Sequence, residues 1–493
     1  MRRLPLGRWV PYSAWTLPAT PRTPRNPPIP KPQPLPVGAT AALACLSLSV
    51  LLSSLGTSIA NVGLPSLARA FGASFQQVQW VVLAYLLAIT TLVVSVGRLG
   101  DMLGRRRLLL AGMAVFTLAS VLCALAPSLA LLVAARALQG LGAATMMALG
   151  MALVGESVPK ERTGSAMGLL GTMSAVGTAL GPSLGGLLLA FAGWRALFAT
   201  LVPLGGVAML LAWRYVPSSP AAARPRQAGF DRLGTLLLTL TLACYALAVT
   251  PGSGQPGAAS LALLLAAALG AGLFVWVQAR VRAPLVPLAA LRDPVLATSL
   301  ALNAVVATVM MATLVVGPFF LSQGLGLGAA AVGAVMAVGP VISTLCGVPA
   351  GRAVDRWGAP TVVLAGLLAM VAGALGLALL PARWGLAGYL LGMAVLTPGY
   401  QLFQAANNTA VMADVPAERR GVVSGLLNLA RNLGLITGAS VMGAVFAGAT
   451  AAPDLRTAPP AALLGGMQAT FGLAAGLLVL AWGVAARGRR VPA

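Results

Sequence analysis

The sequence predicts an all-α polytopic membrane protein, two pseudo-symmetric six-helix bundles plus two inserted helices, fourteen transmembrane helices in all. Three observations carry that expectation. Of 493 residues, 58% are hydrophobic and 8% charged, whereas a soluble domain averages about 25% charged. The apolar residues fall in runs that match the ~20 residues a helix needs to cross a bilayer. Two polar loop segments recur at nearly one spacing, the mark of an internal duplication.

Nine acids cannot build the salt-bridged surface that a water-soluble chain of this size needs. The net charge of +23 lies in short islands between apolar runs, a pattern of membrane topology rather than of a nucleic-acid surface. Histidine is absent, and Cys45, Cys123, Cys244 and Cys346 stand far apart, each inside an apolar run. They offer neither a metal site of ordinary spacing nor a disulfide framework. No cofactor is expected, and no nucleic-acid partner; the expected partners are a small amphipathic substrate and the lipid bilayer, around a monomer.

Residues 1–37 hold eleven prolines, six basic residues and no acid, which predicts a disordered basic tail. Fourteen qualifying runs follow, at about 40–62, 78–98, 108–126, 129–153, 165–190, 196–215, 233–250, 259–279, 296–320, 331–351, 361–380, 386–409, 420–447 and 466–486. Residues 38–216 form the expected N-terminal six-helix bundle and 217–295 a linker with the two inserted helices. Residues 296–486 form the C-terminal bundle, and 487–493 a basic cytoplasmic tail. An even number of spans puts both termini on one side. Placing them in the cytoplasm puts 26 basic residues inside, four outside (Arg69, Arg195, Arg383, Arg456) and two within spans (Arg136, Arg431), as the positive-inside rule asks of a plasma-membrane protein. Trp80, Trp194 and Trp384 fall near outer boundaries, Trp213, Trp357 and Trp482 near inner ones, which suits an aromatic belt.

Gly97-Arg98-Leu99-Gly100-Asp101-Met102-Leu103-Gly104 and Gly351-Arg352-Ala353-Val354-Asp355-Arg356-Trp357-Gly358 both read G-R-x-x-D-x-x-G, 254 residues apart. Val158-Pro159-Lys160-Glu161-Arg162-Thr163-Gly164 matches Val415-Pro416-Ala417-Glu418-Arg419-Arg420-Gly421, 257 residues apart. These matches equate spans 1–6 with spans 9–14. Parallel six-span halves are a transporter architecture.

With these motifs the chain resembles the major facilitator superfamily, in its fourteen-span drug–proton antiporter branch, over about residues 40–486. Gly97 to Arg107 looks like the loop signature between spans 2 and 3. Arg136-Ala137-Leu138-Gln139-Gly140-Leu141-Gly142 looks like the span-4 arginine motif. Gly177-Thr178-Ala179-Leu180-Gly181-Pro182-Ser183-Leu184-Gly185-Gly186 looks like the antiporter motif, which the family associates with export. The resemblance implies the major facilitator fold, alternating access and proton-coupled efflux of drugs or metabolites.

Each motif has a physical reading. Asp101 lies among Arg98, Arg105, Arg106 and Arg107, where a carboxylate can make charge-assisted bonds that form in one state and break in another. Gly97, Arg98, Asp101, Gly104 and Arg105, with Asp355 and Arg356 in the second half, are thus a candidate conformational latch. A charge at depth in the bilayer is costly, so Arg136 should face a wet cavity or a partner, with Gln139 on the same helix face and Gly140 beside it. Arg431 is expected to sit similarly in span 13. Gly177, Gly181 and Gly185 line one face for close helix approach; Pro182 bends the helix, and Gly186 extends the motif. Gln401, Gln404 and Asn408 follow i, i+3, i+7 and should line a cavity, with Asn61 and Asn303 as further candidates.

One departure bears on coupling. The related span-1 signature carries an acid where this chain has Gly56, and all nine acids fall in loops or at span ends. Glu156 and Asp231 are the candidate replacements for proton coupling. Arg136 and Arg431 would favour neutral or anionic substrates. An exporter of one specific metabolite without a buried coupling acid stays open as an alternative, as does a non-transporting sensor. With no histidine and no reactive constellation, enzyme activity is not expected, and the absence of a G-x-x-x-x-G-K-[ST] loop argues against direct use of ATP.

Overall fold

Hydrocarbon offers no partners for backbone N–H and C=O groups, so a chain this apolar must pair them internally. The computed structural model does so with α-helices, and no strand occurs among the described residues, which are 37–157, 163–217, 231–249, 257–281, 284–286, 288–412, 420–451, 455 and 457–488. The tail expectation for 1–37 falls outside them up to residue 36, as does the C-terminal one from 489. The helices are α1 Val37–Phe71, α2 Phe75–Leu103, α3 Arg105–Leu125, α4 Leu129–Ser157, α5 Thr163–Ala199, α6 Leu201–Tyr215, α7 Arg232–Val249 and α8 Ala258–Gln278. After them come α9 Pro294–Phe319, α10 Ala329–Trp357, α11 Ala359–Leu379, α12 Pro381–Met412, α13 Arg420–Thr437, α14 Gly443–Thr450 and α15 Pro460–Gly488.

Twelve helical stretches among the described residues are long and apolar enough to cross a membrane, against the fourteen expected. The difference has two sources. Val176–Tyr215 is a single 40-residue apolar stretch, because α5 and α6 follow with hardly a break. Gly193, with φ +74, kinks the stretch inside α5, six residues before that helix ends. Leu233–Val249 is apolar but shorter than the rest.

Local chemistry sets the ends. Ser74 and Gln77 form a reciprocal capping box at the start of α2. Asp293 caps α9, with Pro294 in its first turn. Gly104 (φ +93) and Gly358 (φ +77) close the two copies of the duplicated loop motif, each ending one helix and starting the next. Only glycine takes that left-handed backbone without strain, so the repeat in sequence is also a repeat in conformation.

Helices α1–α6 pack on one another, as do α9–α15, and the two sets meet through α1–α9, α2–α13 and α5–α10. The pairing of α1 with α5 recurs as α9 with α13. Ser58 Oγ donates to the Gly177 carbonyl at 3.2 Å, and Thr308 Oγ1 to the Gly434 carbonyl at 3.1 Å. Helices α7 and α8 pack together, and only 11% of α8's apolar window is buried. Of the belt candidates, Trp213, Trp357, Trp384 and Trp482 are exposed. Trp194 is instead buried, packing on Phe71 with the Arg195 guanidinium over its ring.

Candidate functional site

A cavity of about 520 Å³ lies between the two helix sets, within the range of small-molecule sites. Hydroxyls line its first-half wall: Ser53, Ser54, Thr57 and Ser58 from α1, Ser174 and Thr178 from α5. Amides line the other: Asn303 from α9, Gln401, Gln404 and Asn408 from α12, Asn428 and Asn432 from α13. Seven methionines complete it, Met147, Met151, Met310, Met311, Met336, Met393 and Met412. Among the described residues Arg431 is the one charged lining side chain, and no carboxylate is among them.

The cavity is open toward one end of the bundle. On α12 its lining runs from Met393 to Met412, the helix's last residue; on α4 it uses Met147 and Met151, near the end; on α13 it begins at Leu427, near the start. Opposite, where α2 begins and α9 ends, the sets are sealed. Phe75 meets Phe319 edge-on at 4.7 Å, and Gln79 Nε2 donates to the Ala439 carbonyl at 3.0 Å. The backbones of α5 and α10 touch at Gly186 and Gly333.

The predicted polar stripe is therefore placed together. Gln401, Gln404, Asn408, Asn303 and Arg431 all reach this cavity. Gln401 hydrogen-bonds Ser343 from α10, and Asn303 Nδ2 donates to the Leu427 carbonyl at 2.9 Å. Asn61 is not among them. It is fully buried, its Nδ2 donating back to the carbonyls of Thr57 and Ser58, because a short amide one turn on finds its own helix backbone first.

Of the two places expected for Arg136, a wet cavity or a partner, the structure shows the second. Arg136 is fully buried and does not line the cavity; its partner is the protein itself. Nε donates to the Val81 carbonyl at 2.9 Å, Nη2 to the Gly56 carbonyl at 2.9 Å and Nη1 to Gln139 Oε1 at 2.5 Å. Gln139 in turn donates to Ser120 at 2.7 Å. The guanidinium stacks 4.1 Å above the Tyr85 ring, and a quadrupole of that kind stabilises a desolvated cation. Arg136 thus ties α1, α2 and α4 together, and its guanidinium is not among the groups that line the cavity. A Cβ at Gly140 would lie 2.6 Å from the Tyr85 carbonyl, so glycine lets α4 approach α2 there. Arg431 is no counterpart: the 257-residue offset pairs it with Ser174, and both line the cavity.

The glycines of the antiporter motif divide between two neighbours. Gly177, Gly181 and Gly185 face α1 at Leu51, Ser58 and Ile59, whereas Gly186 faces α10. The Pro182 carbonyl lies 3.1 Å from where a Cβ on Gly333 would stand. Gly56 leaves no vacancy for an acid, since a Cβ there would fall 2.8 Å from the Tyr85 hydroxyl, which donates to the Ser53 carbonyl at 2.6 Å.

Of the candidate latch, Gly97 lies within α2 and Gly104 at its end, and the side chains of Arg98 and Asp101 fall outside the described positions. Asp355 and Arg356 are exposed, with the Arg356 guanidinium 5.9 Å from the neighbouring Trp357 ring. The Glu156 side chain also falls outside the described positions. Asp231 does not reach the cavity; it is buried at the start of α7, accepting from the Gly234 amide and from Gln278 Nε2, both at 2.7 Å. It clasps α7 to the end of α8.

Sequence reasoning missed the methionines and hydroxyls of the wall. Met147 and Met151 share a helix face, but methionine in an apolar run carries no signal to tell cavity from lipid.

Comparisons with known proteins agree with this geometry. A family model described as Major Facilitator Superfamily matches residues 46–439. Multidrug resistance protein Stp of Mycobacterium tuberculosis (strain ATCC 25618 / H37Rv) is 33% identical over 424 residues, covering 85% of this chain and 78% of its own. Multidrug efflux pump LfrA of Mycolicibacterium smegmatis is 32% identical over 418 residues, covering 83% of this chain and 81% of its own. Among solved structures, a bacterial homolog of the human lysosomal transporter Spinster, inward-facing and occupied, superposes with a TM-score of 0.64 at 16% identity. That match covers 92% of this chain and 97% of the other, and at such identity it speaks for the fold alone. From its helices, its duplicated loops and these matches, the chain is a multi-pass membrane protein that belongs to the major facilitator superfamily.

Proposed function

We propose that this protein exports small amphipathic drugs or metabolites across the plasma membrane by alternating access, as a monomer driven by the proton gradient. The observation that carries the reading is the cavity: polar and methionine-lined, open at one end and sealed at the other by glycine backbones. A binding site between two duplicated helix sets serves such a cycle, the sets tilting to open the opposite end. The similarity to a multidrug resistance protein, Stp, and to a multidrug efflux pump, LfrA, supports drugs as cargo and export as the direction.

In this reading both termini are cytoplasmic, and the cavity faces the cytoplasm, the state that loads substrate for export. Fourteen crossings fit the path. At 1.5 Å per residue the 40-residue stretch Val176–Tyr215 is long enough for two crossings of a core of about 30 Å, and Gly193 is where it turns. The 18 residues of α7 supply the remaining one. A transporter, not an enzyme, is the role these parts fit. Residues 38–216 and 296–486 act as the two rocking bundles, with the loop motifs at Asp101 and Asp355 as the latch between states.

Proton coupling has one remaining candidate of the two acids weighed, Glu156 in the last turn of α4, because Asp231 is committed to its cap. A wall with no carboxylate among its described residues favours a second reading, export without a buried coupling acid. Substrate efflux from proteoliposomes, with and without an imposed pH gradient, separates them. Acceleration by the gradient that is lost in Glu156→Gln supports coupling. Efflux indifferent to the gradient leaves the exporter and removes the antiporter. No movement of any amphipathic compound rejects both and favours a sensor.

A further inference from the structure

Resting on the exporter reading, we infer that the cavity selects organic anions: molecules with a carboxylate or equivalent acid group, seated at Arg431, on an apolar body. The first observation is the census of the wall, one arginine and no acid among the described lining residues. A cation there meets a like charge with no compensating carboxylate among the described lining residues, and the two repel more strongly than they would in bulk water. The second is how differently the protein treats its two arginines within the helices. Arg136 has carbonyls, an amide and an aromatic face around it. Arg431 points into the cavity and makes no hydrogen bond or ion pair among the described residues. The donors of a guanidinium fork match a carboxylate geometrically.

The third observation is asymmetry. At the position that the duplication pairs with Arg431, the first half has Ser174, whose hydroxyl is shared with Ser54 at 2.7 Å. The positive charge therefore stands on one wall only, which orients a polar–apolar molecule rather than clamping it from both sides. Thr397, 2% exposed, also lines the cavity, and its hydroxyl has no partner; it can donate a further bond to an acid oxygen. The methionines suit the rest of such a molecule, because thioethers adapt to varied apolar shapes and pack on aromatic rings.

The test uses one skeleton with three charges: 1-naphthylacetate, 1-naphthylacetamide and 2-(1-naphthyl)ethylammonium, each assayed for transport by the full chain in proteoliposomes. The expected order is acetate, then amide, then ammonium. Arg431→Gln should raise the KM ratio of acetate to amide by about tenfold or more, and Arg431→Lys should restore part of it. The ratio reads charge recognition, which general damage to the fold would not move. If Arg431→Gln does not fold, Arg431→Lys alone must still raise that ratio, by a smaller factor. Preference for the ammonium, equal transport of all three, or an unmoved ratio overturns anion selection and leaves the exporter standing. Transport of none overturns both.

Discussion

Gly186 is where the far seal is thinnest, and a single methyl group tests it. A Cβ at residue 186 would lie 2.9 Å from the Gly333 amide nitrogen and 3.1 Å from the Ala329 carbonyl, and closer still to the Gly333 Cα. Ordinary carbon contacts need about 3.5–4.0 Å, and the atoms in the way are backbone, which cannot rotate aside. Helices α5 and α10 must therefore part. Overpacking of this kind costs about 1–3 kcal/mol. The strain falls only on the state in which these helices touch, so Gly186→Ala should shift the balance toward the far-open state by about 5–150-fold. Spin labels at Phe191 and Gly328, both exposed beside the seam, read the shift by pulsed electron resonance in a variant freed of its four cysteines. A longer far-end distance in Gly186→Ala, and an additional increase with Gly333→Ala, is the expected result. An unchanged distance distribution with unchanged transport would refute the argument that glycine backbones form the seal.

Other perturbations follow from the same geometry. Asp231→Ala removes a cap and strands the Gly234 amide and Gln278, so the unfolding temperature should fall, by about 1–2 kcal/mol of stability. The response of efflux to a pH gradient should persist; its loss would return Asp231 to the coupling machinery. Arg136→Met leaves Gln139 and two carbonyls without their donor, and each buried acceptor so stranded costs about 1–3 kcal/mol. A marked fall in detergent-solubilised stability checks this, and full stability would disprove a tying role. Gly56→Asp alone should destabilise, because Tyr85 occupies the space, whereas Gly56→Asp with Tyr85→Ala should recover stability by pairing the new carboxylate with Arg136. Thermal unfolding of both variants decides it, and a stable single variant would contradict the packing described.

Residue chemistry alone settled much of this protein. Hydropathy specified helices in lipid, since the cost of unpaired backbone in hydrocarbon leaves no other choice for so apolar a chain. The G-R-x-x-D-x-x-G copies revealed the duplication, down to the left-handed glycines that end them, because that conformation is dictated locally by residue type. The i, i+3, i+7 stripe of Gln401, Gln404 and Asn408 predicted a cavity wall, since polar groups at depth must find water or a partner.

Which of those two a polar group finds was decided only by tertiary structure. Arg136 and Arg431 look alike in sequence, yet one is wrapped by carbonyls and a tyrosine ring and the other faces open space. The difference lies in what neighbouring helices bring alongside, and linear spacing does not carry it. Asp231 stood in the sequence as a candidate coupling acid, and the structure shows it held by Gln278, 47 residues away. Gly56 looked like a missing acid until Tyr85 proved to fill its place. The methionines and the meeting of Gly186 with Gly333 were silent for the same reason: lipid, cavity and neighbouring helix are equally apolar in sequence, and only assembly tells them apart.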